Sequence, residues 1–198
     1  MQTVKIKIVV IGSQLVGKTS LLNAIVRSNN SISDDEYKPF DNVSTMTVKV
    51  IKDDKTYIFE LWDSKSIDYY KIIQEMKNEE ISVVLICYSV MELKSFQDVK
   101  KKWLPMIRKS APNSHVIIVG TKIDLRDDRV SLLRLDRLQN LKPITIEEGY
   151  LFTRENNAYF PNVLHFHKLE SMTFLIKLFQ YLVIHLKWKR NVHALFYK

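Results

Sequence analysis

Two hydrophobic periods alternate along the chain, and each change of period marks a predicted element. Apolar runs rich in β-branched residues, typical of buried strands, occupy 5–12, 83–90, 116–120 and 162–166. The segment 45–62 alternates apolar and polar residues on both sides of Asp53 and Asp54, which predicts a β-hairpin. Helix-length stretches such as 95–110 separate the buried strands. This order predicts an α/β fold, a mostly parallel six-stranded sheet with helices on both faces.

The length and composition indicate one ordinary domain. With 198 residues and 46% hydrophobic residues, the chain can build one full-sized core. We expect a domain over 1–186 and a basic, aromatic tail over 187–198. Cys87 lies in an apolar run, which predicts a buried, reduced thiol. Since the N-terminus turns directly into a strand pattern without a leader, a cytoplasmic protein is expected.

The formal net charge of +8 raises the question of an anionic partner. Lysine and arginine are spread through the chain, and no aromatic-basic signature of nucleic-acid binding is present. Nucleic acid is therefore not an expected partner.

Residues 12–19 lie between the first predicted strand and a predicted helix at LLNAIV. They fit the phosphate-loop pattern G-x-x-x-x-G-K-[ST], whose glycines let backbone N–H groups turn toward phosphates. Lys18 is expected to reach the outer phosphates, and the Thr19 hydroxyl to coordinate Mg²⁺. The predicted nucleotide-binding residues here are Gly12, Ser13, Gln14, Leu15, Val16, Gly17, Lys18, Thr19 and Ser20.

A second motif, T-K-x-D, follows the predicted strand at 116–120, on the edge where doubly wound folds bind ligands. A carboxylate there can accept hydrogen bonds from the ring N–H and the exocyclic amine of guanine, which adenine does not offer together. Asp124 is therefore the predicted base reader, with Lys122 and Leu125 beside it. Together with the phosphate loop, the motif predicts a guanine-nucleotide site.

Several segments resemble the Rho family of Ras-like small GTPases: MQTVK, EYKPFDN, SFQDVKKKWLPMI, GTKIDLRDD and KPIT. The segment 126–142 resembles the insert helix that separates Rho proteins from their relatives. The resemblance covers nearly the whole chain and implies a P-loop NTPase small G-domain that binds GTP, GDP and Mg²⁺. It places Asp63 beside Thr19 as a metal residue. It also implies a monomeric switch that meets exchange factors and recruits effectors, often ones that control actin.

Departures from the family pattern predict slow GTP hydrolysis. At Gln14 the family has a glycine that leaves room for the attacking water and for an activating protein's arginine. Ser66 replaces the glycine that senses the γ-phosphate, and Ile67 replaces the glutamine that orients water. Because phosphoryl transfer depends on positioning and charge stabilisation, turnover at or below ~10⁻⁴ per second is expected. No catalytic residue is assigned.

Other departures affect the loops around the nucleotide. The family's switch threonine is absent after Pro39, and Ser44 or Thr45 replaces it only if the loop changes register. The family's C-S-A-L loop at the base corresponds to 166–169, which predicts base contacts from His167 and Lys168.

Two interpretations follow. In the first, the protein is a Rho-like switch that stays loaded with GTP. In the second, it is a pseudo-GTPase scaffold that binds nucleotide weakly or not at all and recruits partners independently of it. Lys18, Thr19, Asp63 and Asp124 fill four chemically separate roles that would seldom occur together by chance, which favours the first.

The last segment, 172–198, is apolar for several turns and then basic with aromatics. One interpretation is a final core helix with a short tail, and the other is a peripheral anchor on an anionic inner membrane face. Because the single cysteine is internal, prenylation is not expected.

Overall fold

A computed structural model of the chain describes residues 2–27, 38–40, 43–52, 55–64, 81–139 and 142–156. Its strands are β1 (Gln2–Gly12), β2 (Lys38–Phe40), β3 (Val43–Lys52), β4 (Lys55–Ser64), β5 (Val83–Ser89) and β6 (His115–Thr121). Its α-helices are α1 (Lys18–Arg27), α2 (Leu93–Asp98), α3 (Leu104–Ser110), α4 (Arg129–Gln139) and α5 (Ile146–Glu155). A π-helical turn, Val99–Trp103, joins α2 to α3, and a 3₁₀ turn, Ile123–Arg126, follows β6.

The described strands form one sheet in the order β2-β3-β4-β1-β5-β6. β1 pairs in parallel with β4 and β5, and β5 pairs in parallel with β6. β3 and β4 form the predicted antiparallel hairpin. The predicted α/β architecture is therefore confirmed, and the carboxyl ends of β1, β4, β5 and β6 lie along one edge, where such folds place ligand loops.

The strand predictions hold except at two places. The predicted strand at 162–166 lies outside the described residues, so the sixth predicted strand stays a prediction. The short strand β2 was not predicted, because three residues are too few to show a period. Ser44 and Thr45 belong to β3, in register with Asp63 and Trp62. For either residue to replace the switch threonine, those strand pairs would have to open.

Alternation along β1 divides the core into two layers. Ile6, Ile8 and Val10 face the layer that contains α1, while Val9 and Ile11 face the layer that contains α3 and α5. All five side chains are buried, which is typical of a central parallel strand covered on both faces. Helices therefore lie on both faces of the sheet, as predicted.

The π-helical turn has a cause in the sequence. Buried residues recur every fourth position at Ser95, Val99, Trp103 and Ile107. In an α-helix a four-residue step advances by about 400°, so a strict repeat drifts about 40° per step away from the sheet. The wider π turn takes up this drift, because its hydrogen bond spans five residues, as from Leu104 N–H to the Val99 carbonyl. Trp103 is 1% exposed, so it anchors this helical segment in the core.

The predicted insert region does contain a helix. α4, Arg129–Gln139, falls within 126–142 and buries Leu135 against the domain. Val130 and Leu133 remain exposed on it. Its identity as a Rho-type insert stays a prediction. The predicted tail, 187–198, lies outside the described residues.

Candidate functional site

The phosphate loop leaves the end of β1 and runs into the first turn of α1. Gly12 has φ 145° and lies opposite Cys87 in β5, so close that a Cβ built on Gly12 would lie 2.2 Å from the Cys87 carbonyl oxygen. Gly17 has φ 99°, which also favours glycine. The two glycines of the motif are thus required by backbone conformation, and at Gly12 also by space. The first N–H groups of an α-helix such as α1 have no intrahelical acceptors and are available to an anion.

Lys18, the first residue of α1, folds back over the loop. Its Nζ donates to the Gly12 carbonyl at 3.1 Å and to the Ser13 carbonyl at 2.8 Å. An ammonium has three donor protons, so within the described part of the chain one remains for an anionic ligand. Burial lowers the pKa of Lys18, while nearby Cys87 and Asp63 act in the opposite direction. A phosphate at this position would stabilise the charged form.

Thr19 and Asp63 meet although they are 44 residues apart in sequence. The Thr19 hydroxyl donates to Asp63 Oδ2 at 2.6 Å. Parallel register sets Asp63 opposite Val10, and the next residue, Ser64, donates its hydroxyl to the Val10 carbonyl at 2.7 Å. The end of β4 is thereby held against β1, directly beneath the phosphate loop.

The Thr19–Asp63 pair fits a divalent cation. Asp63 is fully buried, and its Oδ1 has no hydrogen-bond partner among the described residues. An unpaired buried carboxylate oxygen is costly, and a cation would compensate it. Because the Thr19 hydroxyl directs its proton at Asp63, its lone pairs stay available to a metal. Mg²⁺ prefers such oxygen ligands and completes its shell with water and phosphate oxygens.

The predicted base-reading motif is tied to the phosphate loop through Thr121. Its Oγ1 lies within hydrogen-bonding reach of the Val16 carbonyl and, at 2.8 Å, of the Tyr88 carbonyl, and its single proton serves one of them at a time. Lys122 then adopts the left-handed conformation, with φ 57°, and the chain turns. Asp124 is exposed in the following 3₁₀ turn, at the carboxyl end of β6. The structure therefore brings this motif and the phosphate loop together.

Not every predicted site residue can be placed. Ile67, His167 and Lys168 lie outside the described residues. Leu125 is half-buried in the turn with Asp124, Val16 is buried, and Ser20 is exposed. Gln14 and Leu15 are exposed, Leu15 at 88% and with φ 58°, a conformation that a leucine seldom adopts.

One set of contacts at the loop was not predicted from the sequence. The Ser13 hydroxyl donates to Asp98 Oδ2 at 2.9 Å and accepts from Trp103 Nε1 at 3.4 Å. Asp98 precedes the π-helical turn and Trp103 is its last residue, 85 and 90 residues from Ser13 in sequence. No local pattern signals such a contact, because it depends on how the helix packs on the sheet.

Within the described ranges, no helix combines the length and the apolar character needed to cross a membrane.

Comparison with known families agrees with this geometry. The model of the Ras family matches residues 7–168, which include the phosphate loop, Asp63, the T-K-x-D motif and most of the described structure. The buried lysine, the threonine–aspartate pair and the turn of the T-K-x-D motif occupy one edge of the sheet within that range. The chain therefore belongs to the Ras family of small GTP-binding signalling proteins.

Proposed function

We propose that the protein binds GTP and GDP with Mg²⁺ at this site. The observation that carries the proposal is the contact between Thr19 and Asp63 beside the buried Lys18, with one Asp63 oxygen that has no hydrogen-bond partner among the described residues. Lys18 would hold the outer phosphates and Thr19 would coordinate the metal, with Asp63, hydrogen-bonded to Thr19, beside it. Mg²⁺ supplies charge neutralisation between the phosphate oxygens when it is bound.

Guanine is the proposed base. Asp124 is exposed at the sheet edge and free in the described structure to receive two N–H donors. The contact of the Thr121 hydroxyl with the Val16 carbonyl of the loop would set the spacing between the phosphate and base subsites. An Asp124→Asn variant should lose GTP affinity and keep its fold, because the side chain is exposed and its volume is unchanged. The GTP affinities of the variant and the parent protein are measured in a binding assay with ATP as the competitor. Equal GTP affinity in the two proteins would exclude Asp124 as the base reader.

Hydrolysis is proposed to be slow. The Gln14 side chain is exposed on the phosphate loop, where a glycine would leave space for water and for an arginine supplied in trans. Ile67 has no group that can orient water. An unassisted small GTPase turns over at ~10⁻⁴ per second, and a trans arginine adds ~10³- to 10⁵-fold. We expect turnover at or below ~10⁻⁴ per second and little response to activating proteins, so that the protein stays bound to GTP.

The signalling context is proposed from the resemblance. Effectors of the Rho type, often regulators of actin, and exchange factors are the proposed partners. The exposed Val130 and Leu133 on α4, within the region that resembles a Rho insert, support this subfamily. A cytoplasmic protein with peripheral membrane contact through 187–198 is the corresponding localisation.

The decisive experiment measures nucleotide content and release. Nucleotide is extracted from the purified protein and identified, and dissociation of fluorescent GTP and GDP is followed with and without Mg²⁺. We expect GTP to copurify and to leave over hours in Mg²⁺. If the folded protein binds neither nucleotide at micromolar concentration, the scaffold interpretation replaces this proposal.

A second experiment tests the cause of slow hydrolysis. The double variant Gln14→Gly, Ile67→Gln should hydrolyse GTP measurably faster than the parent protein in a single-turnover assay, because space and water orientation are both restored. The variant Gln97→Ala, exposed on α2, is the control and should leave the rate unchanged. An unchanged rate in the double variant would place the defect elsewhere, in the altered switch at 36–42.

A further inference from the structure

The Ser13 contacts link the phosphate loop to the helical segment that contains Asp98 and Trp103. In this network Ser13 is both donor and acceptor: it donates to Asp98 Oδ2 and accepts from Trp103 Nε1. Each proton has one destination, because a carboxylate only accepts and an indole only donates. Asp98 and Ser13 are half-buried and Trp103 is buried, so these bonds are partly shielded from water.

The π-helical turn makes this arrangement possible. Asp98 and Trp103 are five residues apart, and in an α-helix residues at that spacing point about 140° away from each other. A π turn joins residues five apart by a hydrogen bond and so brings them to one face. The described bond from Leu104 N–H to the Val99 carbonyl has this five-residue span. Asp98 and Trp103 can therefore reach the same hydroxyl.

The chain of contacts continues into the nucleotide site. The Ser13 carbonyl accepts from Lys18 Nζ at 2.8 Å, so the residue held by the helix in turn holds the ammonium group. Gly12 on one side is pressed against β5, while Gln14 on the other side is exposed. Ser13 is thus one of the residues at which the loop's conformation is tied to the rest of the domain by side-chain hydrogen bonds.

We propose that Asp98 and Trp103 are positioning residues which, through Ser13, set the shape of the phosphate loop and the place of Lys18, and thereby the affinity for nucleotide phosphates. This inference rests on the proposed nucleotide binding. It assigns to the π-helical turn a task beyond packing: it maintains the loop in a conformation that receives phosphate.

The test is a double-mutant cycle on nucleotide affinity. Ser13→Ala and Asp98→Ala each remove one side of the same bond, and each should weaken GDP binding about tenfold, the loss typical of one hydrogen bond to a charged group. The double variant should bind no worse than either single variant, because both changes break one linkage. Asp98→Asn keeps an acceptor oxygen and should recover most of the affinity. Gln97→Ala, exposed on the same helix, is the matched control and should bind like the parent protein.

Two results would overturn the proposal. One is unchanged GDP affinity in folded Asp98→Ala. The other is additive losses in the double variant, which would mean that Asp98 acts independently of Ser13. If Asp98→Ala does not fold, Ser13→Ala and Asp98→Asn carry the comparison, since both are conservative changes.

A second readout separates this inference from the proposed function. Amide hydrogen exchange in the peptide covering 12–18 is measured in nucleotide-free protein, where binding plays no part. Exchange should be faster in Asp98→Ala and Ser13→Ala than in the parent protein and in Gln97→Ala. If the parent protein binds no nucleotide but exchange rises as expected, nucleotide binding fails and the loop-positioning contact stands. If exchange is unchanged, the positioning proposal fails whether or not nucleotide binds.

Discussion

The two glycines of the phosphate loop offer a matched pair for separating backbone strain from steric contact. Both have positive φ, 145° at Gly12 and 99° at Gly17, so alanine at either position is strained. They differ in space. A Cβ at Gly12 would lie 2.2 Å from the Cys87 carbonyl oxygen, whereas at Gly17 the nearest atom is Thr121 Cβ at 3.8 Å, an ordinary contact.

The magnitudes follow from these distances. An unfavourable backbone conformation costs of order 1–3 kcal/mol, and both variants should lose about this much. Gly12→Ala should lose a further ~1–3 kcal/mol, as in overpacked cores, because the obstructing atom is backbone and β1 must move away from β5. Since small domains are stable by only about 5–15 kcal/mol, this difference is readily measured.

The assay is urea unfolding of nucleotide-free protein, followed by circular dichroism. Gly12→Ala should have a lower midpoint than Gly17→Ala, and Gly17→Ala a lower midpoint than the parent protein, with similar slopes for all three. Equal midpoints for the two variants would refute the reasoning, because they would show that the close approach of β1 to β5 has no energetic consequence.

Three further predictions concern a helix cap, a buried thiol and the metal residue. Thr145→Ala should lower the free energy of unfolding by about 1 kcal/mol, because Thr145 and Glu148 form a capping box on α5. The control Glu147→Ala, a change of an exposed neighbour, should have little effect. Equal losses of stability in the two variants would contradict the capping role. Burial raises the pKa of Cys87 from 9.0 to about 12, so the folded protein keeps a proton that the unfolded chain releases. Stability should therefore fall as pH rises from 9.0 toward 12. Urea titrations at several pH values should show a shallower fall in Cys87→Ala than in the parent protein. An identical fall in the two proteins would mean that other groups cause the loss of stability. Thr19→Ala should make GDP dissociation insensitive to chelation of Mg²⁺, and persistent sensitivity would remove Thr19 from the metal site.

Much of the fold could be predicted because its strands are buried on both faces. The runs at 83–90 and 116–120 are almost wholly apolar, and they form β5 and β6 within one residue at each end. The hairpin at 45–62 was predicted from alternation and extends by two residues at each end as β3 and β4. The π-helical turn was not predicted, because a four-residue repeat of buried positions is also compatible with an ordinary helix. The geometry of this turn is decided only when the helix packs on the sheet.

The candidate site divides in the same way. The phosphate-loop residues Gly12, Gly17, Lys18 and Thr19 all lie within 12–19, so covalent connectivity alone brings them together. Their spacing is therefore enough to predict the loop. The T-K-x-D motif could be located because it follows a buried strand. The anchoring of Thr121 to the Tyr88 carbonyl could not be predicted, since it requires β5 and β6 to be neighbours in the sheet.

By itself, the sequence determined the order of the elements, the burial of the sheet and the composition of the phosphate loop, because each depends on residues that are close along the chain. Tertiary structure alone decided that the Ser13 hydroxyl lies between Asp98 and Trp103 and that, in the part of the chain that the structure describes, one oxygen of Asp63 has no hydrogen-bond partner beside Thr19. These contacts join residues tens of positions apart. Their geometry depends on strand register and on the rotation of a packed helix, which no short stretch of sequence specifies.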